Sequence, residues 1–100
     1  MSAGYIGILS VELLFPDSHS LKDKRQFLRA AKAQLQSRFG ASVAEVDHHD
    51  TWQRSRLLAC FASGELSALE RLIDAATRFL YTQSFEVISI ERRFVAPNDE

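Results

Sequence analysis

"SVAEVDHHDTWQRSRLLACFA", Ser42 to Ala62, sets two extended stretches on either side of a polar turn. Ser42 to Asp47 reads as a short strand. Gln53 to Ala62 reads as a longer one, apolar on both parities toward "LLACFA", as a central strand should be. Upstream, "YIGILSVELLF" (residues 5–15) is an extended apolar run that stops at Pro16. "DSHS" then leads into a helix from Leu21 to Phe39, with Ser20 as N-cap, Asp23 completing a capping box in its acidic form, and Gly40 as the stop. Downstream, Ser63 and Gly64 open a second helix from Glu65 to about Thr82. Its Leu66, Leu69, Ile73, Ala76 and Leu80 make one apolar stripe. The last strand, Phe85 to Val95, carries Ile88, Ile90 and Phe94 on one face, with Glu86 and Arg92 interrupting. A hairpin between two helices, with a strand at each end, gives βαββαβ: an α+β, ferredoxin-like split fold with strands one and three central.

The chain has 100 residues, 46% of them hydrophobic and 25% charged, which suits one globular domain. That domain is expected over residues 1–96, with 97–100 a loose polar tail. A formal net charge of −1 supplies no global field, so any nucleic-acid binding must come from a local patch. The lone Cys60 cannot form an intramolecular disulfide, and no apolar run approaches membrane-spanning length. A cytoplasmic protein with no membrane association is expected.

"SLKDKR" (Ser20–Arg25) and "SVAEVDHHDTWQRS" (Ser42–Ser55), following the "GILSVELLFP" strand, together resemble the YlxP-like family of small bacterial proteins of uncharacterised function. The resemblance spans nearly the whole chain. It implies a ferredoxin-like domain, often dimeric, with genes near those for translation and ribosome maturation. It brings no catalytic residue with it, because none is established for the family; no cofactor is expected.

In this topology strands one and two both run toward the start of the first helix, so the two motifs should converge on one pole. That pole would gather His19, His48, His49, Asp17, Asp47, Asp50, Lys22, Lys24, Arg25, Trp52 and Arg54. Three readings compete for it. A metal site has suitable ligand types, but adjacent His48 and His49 would point apart in extended chain, and cations stand nearby; no metal is expected. An anion or RNA site would use the basic stripe of Lys22, Arg25, Arg29 and Lys32. A structural latch would pair Lys24, which falls inside the apolar arc of the helix, with Asp47 first or Asp50, Trp52 covering the stems.

Strand one's odd residues (Tyr5, Leu9, Val11, Leu13, Phe15) are its continuous apolar set and should lie under the helices. The even set then faces outward, with Arg54, Arg56, Leu58 and Cys60 beside it on strand three, and Glu12 close to Arg54 or Arg56. The central strands place no aromatic outward, which argues against base stacking on the sheet. Ile6, Ile8, Leu58 and Cys60 instead suggest a twofold dimer through the sheet faces. No nucleophile elbow or phosphate-cradling glycine loop is present. The expected function is a non-enzymatic homodimeric binding domain that contacts ribosomal RNA through the basic helix face. The alternatives are a protein-interaction adaptor, for example to a ribosome-associated protein, and lastly a metal-dependent activity at the His/Asp turn.

Overall fold

The stretch from Ser42 to Ala62 is a hairpin in the computed structural model, which describes residues 3–97. Its strands are β2 (Ser42–Asp47) and β3 (Arg54–Ser63). Around it stand β1 (Tyr5–Leu14), α1 (Leu21–Phe39), α2 (Leu66–Tyr81) and β4 (Glu86–Val95). The four strands form one antiparallel sheet in the order β2-β3-β1-β4, with both helices on one face: the ferredoxin-like α+β arrangement. The central strands are β1 and β3, the two whose apolar residues occupy both parities. Of the tail expected at 97–100, Pro97 sits in a turn and 98–100 lie outside the described residues.

Local signals set the helix ends. The Ser20 hydroxyl accepts a hydrogen bond from the Asp23 amide, and the Asp23 carboxylate accepts one from the His19 amide, so the first turn of α1 is capped reciprocally. At the other end Gly40 takes φ 66, a left-handed conformation that stops α1 and lets the next amides close onto Leu35 and Gln36. Glu65 stands at the N-cap of α2 without a side-chain capping bond.

The parity of β1 decides what is core. Leu9, Val11, Leu13 and Phe15 are buried beneath the helices and meet Leu57, Ala59 and Phe61 of β3. Above them pack Leu28, Ala31 and Leu35 of α1 with Leu69, Ile73 and Ala76 of α2. Phe15 stacks on Phe27 and meets Phe85 edge-on. Gly7 occupies a crossing where a Cβ would collide with Ile73, so α2 rides directly on the backbone of β1.

Two expectations about apolar faces change. Leu66 is exposed at the first turn of α2, ahead of the buried stripe. Ile88 does not share the core face with Ile90, because the β1–β4 register slips between Glu12 and Leu13 and leaves Ile88 as the extra, exposed residue. Phe94 also stays exposed.

Candidate functional site

The two sequence motifs do meet at one pole, and Lys24 is the knot between them. Its place on the apolar arc of α1 carries the side chain inward, where it is 1% exposed. The ammonium donates to the carbonyl oxygens of His48 (2.8 Å), His49 (3.2 Å) and Arg54 (3.2 Å), tying both sides of the β2–β3 turn. Its charge partner is Glu45, at 3.1 Å, not Asp47 or Asp50. The reason is a β-bulge. Val43, Glu45 and Asp47 share one parity, but the β2–β3 register slips between Glu45 and Asp47, so Asp47 emerges on the opposite face with its side chain 65% exposed. There its carboxylate accepts from the His48 amide at 2.7 Å. Trp52 is 46% exposed on the turn rather than buried as a cover. Glu45 was the residue the sequence reading missed. Its shared parity with the half-buried Val43 was the available signal. The Glu45 carboxylate also accepts from the buried Ser55 hydroxyl at 2.6 Å.

A second charged group lies on the open face of the sheet. Glu12 is opposite Arg56 in the β1–β3 register, and its side chain is only 8% exposed. Arg54 reaches it at 2.6 Å, Arg56 at 3.1 Å and the His48 Nε2 at 2.9 Å. Arg56 also holds Glu91 of β4 at 2.6 Å, so the group spans three of the four strands, β3, β1 and β4. Burial raises the Glu12 pKa, but hydrogen bonds from Arg56 and Arg54 and the charges of His48 and Arg54 outweigh it, leaving the carboxyl below its usual value. Arg56 is held protonated more firmly than usual by Glu91 and then Glu12. His48 reaches this face through a left-handed backbone, φ 60, the single positive φ outside glycine among the described residues.

The basic stripe comes together on the other flank of the domain. Arg25, Arg29 and Lys32 line a groove of about 360 Å³ between α1 and the edge strand β2, with Leu28, Ala33, Gln36 and Glu45 completing it. Lys22 lies one turn earlier, outside that lining. None of these four cations is held by an ion pair or side-chain hydrogen bond among the described residues, whereas Lys24, Arg54, Arg56 and Arg92 all are. Glu45, the one carboxylate of the groove, is already committed to Lys24 and Ser55.

The three histidines serve different ends. The His48 ring turns to Glu12, the His49 Nε2 donates to the Glu45 carbonyl at 3.1 Å, and His19 joins the helix cap through its amide. Among the described residues no three His, Cys, Asp or Glu side chains gather as metal ligands. Ile6, Ile8, Leu58 and Cys60 share the open face, each partly buried, with Ile8 opposite Cys60 and Ser10 opposite Leu58. The outward residues of the central strands include no aromatic. Among the described residues no helix is long and apolar enough to cross a membrane.

Comparison with known proteins places these features in a family. A family model described as "Protein of unknown function (DUF503)" matches residues 6–92. The "Uncharacterized protein YlxP" of Bacillus subtilis (strain 168) is 29% identical over 75 residues, which are 75% of this chain and 82% of that protein. Among solved structures, the "De novo designed protein Foldit4" superposes with a TM-score of 0.54 at 10% identity, covering 92% of this chain and 96% of that one. At that identity the likeness concerns the fold alone.

Proposed function

The chain belongs to the DUF503 family of proteins of unknown function, and from that premise we propose that it is a non-enzymatic, homodimeric binding protein that grips RNA backbone, ribosomal RNA foremost, along the α1 flank. One observation carries this reading: Arg25, Arg29 and Lys32 line a single groove with no ion-pair partner among the described residues, and the one carboxylate lining the groove is neutralised by Lys24. Unpaired cations in a row are the electrostatic footprint of a phosphate-binding surface. From Lys22 to Lys32 the stripe extends roughly 15 Å along the helix at 1.5 Å per residue. Such a surface reads charge and shape, not base identity, which fits the absence of outward aromatics on the central strands. The charged side chains of the open face engage one another instead of a vacant site, which favours binding over chemistry.

The test is RNA affinity as a function of salt for the wild type and for Arg25→Gln/Arg29→Gln/Lys32→Gln. The wild-type affinity should fall steeply with salt, and the triple variant should lower the slope of log K against log salt by roughly 2 to 3. An unbound wild type at low salt would remove RNA and leave the protein-interaction adaptor, for which the same groove would take an acidic partner segment.

A further inference from the structure

The sheet ends on one side in β4, a ten-residue edge strand mostly exposed along its length. The bulge at Ile88 breaks its regularity near the start. From Ser89 to Val95 the strand pairs with β1 without interruption, which leaves a regular outer edge seven residues long. The midpoint of that segment is Arg92.

An antiparallel partner lying about a twofold axis at Arg92 would use the whole segment. Each residue would face its symmetry mate at a fixed register: Glu91 opposite Arg93, Ile90 opposite Phe94, Ser89 opposite Val95. The chemistry of those pairs is complementary. Arg93 makes no ion pair or side-chain hydrogen bond among the described residues. Glu91 offers Arg56 only its Oε1, at 2.6 Å, and keeps its side chain 73% exposed. On the helix side Phe94 is an exposed aromatic, and Ile90 is half-buried against the core. Arg92 would meet its own copy, but it is drawn back toward α2 by Asp74 at 2.7 Å and Thr77 at 3.3 Å. The neighbouring register about Glu91 would instead set the two Glu91 carboxylates, each with one oxygen on its own Arg56, directly against each other. The geometric midpoint and the charge pattern select the same register independently.

We propose that β4 is a homodimer interface: two copies of the chain join edge to edge through Ser89–Val95, with Glu91–Arg93 ion pairs on both sides of a twofold at Arg92. The result is one eight-stranded sheet. With strands about 4.8 Å apart, its two β2 strands, and so the two basic grooves, lie on the order of 34 Å apart at the far ends. The inference rests on the dimeric part of the function given above and deepens it; the RNA-binding part stands or falls by its own measurement.

Sedimentation velocity on the full chain tests it, with RNA binding read on the same samples. Glu91→Arg and Arg93→Glu should each weaken association by roughly ten- to thirtyfold, two symmetric pairs being lost at once, and the double exchange should restore it. In a Cys60→Ser background, Arg92→Cys should form an intermolecular disulfide on mild oxidation, because the two residues face each other across the axis. Ile8→Glu, on the open face, should leave association unchanged. A wild type that stays monomeric at tens of micromolar overturns the proposal. So does a dimer that Ile8→Glu dissociates and Arg92→Cys fails to cross-link, an outcome that assigns the interface to the sheet face.

Discussion

Lys24 on α1 and Glu45 on β2 meet at 3.1 Å beneath the β2–β3 turn, and Lys24 is the one buried lysine of the chain's three. The pair closes the pole by electrostatics and by hydrogen bonds together, since the same ammonium serves three backbone carbonyls. Turns are normally satisfied by water; this one is satisfied from below by a side chain.

Removing one partner therefore separates the contributions. Lys24→Met should cost about 3–5 kcal/mol, because it strands a carboxylate and three carbonyls. Glu45→Gln, at a side chain 17% exposed, should cost less, about 2–3 kcal/mol. Asp47→Asn keeps the oxygen that accepts from the His48 amide and should stay within about 0.5 kcal/mol of wild type. Urea unfolding checks all three. A loss in the Asp47 variant equal to that of the Glu45 variant would contradict the bulge-determined pairing.

Glu12 sets the acid limb of the stability profile. Its folded pKa lies below the ordinary 4.5, so its contribution is present above that value and is lost as pH falls through the folded one. The wild type should lose stability as pH is lowered from 5 toward 3, and Glu12→Gln should show a shallower fall over the same interval from a lower starting point. Thermal melts across that range suffice. Parallel profiles for the two proteins would assign the acid sensitivity to other carboxylates.

His48 combines a left-handed backbone with a ring that reaches Glu12, and substitutions can divide the two. Asn tolerates positive φ, so His48→Asn should lose only the partly exposed ring contact, under about 1 kcal/mol. His48→Val adds a β-branched side chain at φ 60 and should cost a further 1–2 kcal/mol or so. Equal stability of the two variants would mean that the turn relaxes to an extended backbone at no cost.

Much of this architecture was legible in the sequence, because period and caps act locally. The α1 boundaries follow from Ser20, Asp23 and Gly40, and the parity of β1 follows from its continuous odd-numbered apolar set. That parity was enough to place Glu12 beside Arg54 and Arg56. The burial of Lys24 could be read from its position on the helix, but its partner could not be read from strand alternation. Two bulges, after Glu45 and at Ile88, each invert the alternation, and neither is marked by a glycine or proline. A bulge is fixed by how two strands register against each other, which is a tertiary property. The left-handed His48, which follows the first bulge in the chain, was equally hidden.

The two borders of the sheet are unequal. Along β2, only six residues long and bulged after Glu45, the His49 ring occupies the Glu45 carbonyl, and a short, bulged edge discourages another strand from docking. Along β4 no such stopper interrupts Ser89–Val95. In the proposed dimer, a chain with a single adhesive border would spend it on its own mate about a twofold and have nothing left to offer a third copy. Such an assembly would be finite by construction, the stoppered border separating a closed pair from an open-ended fibre.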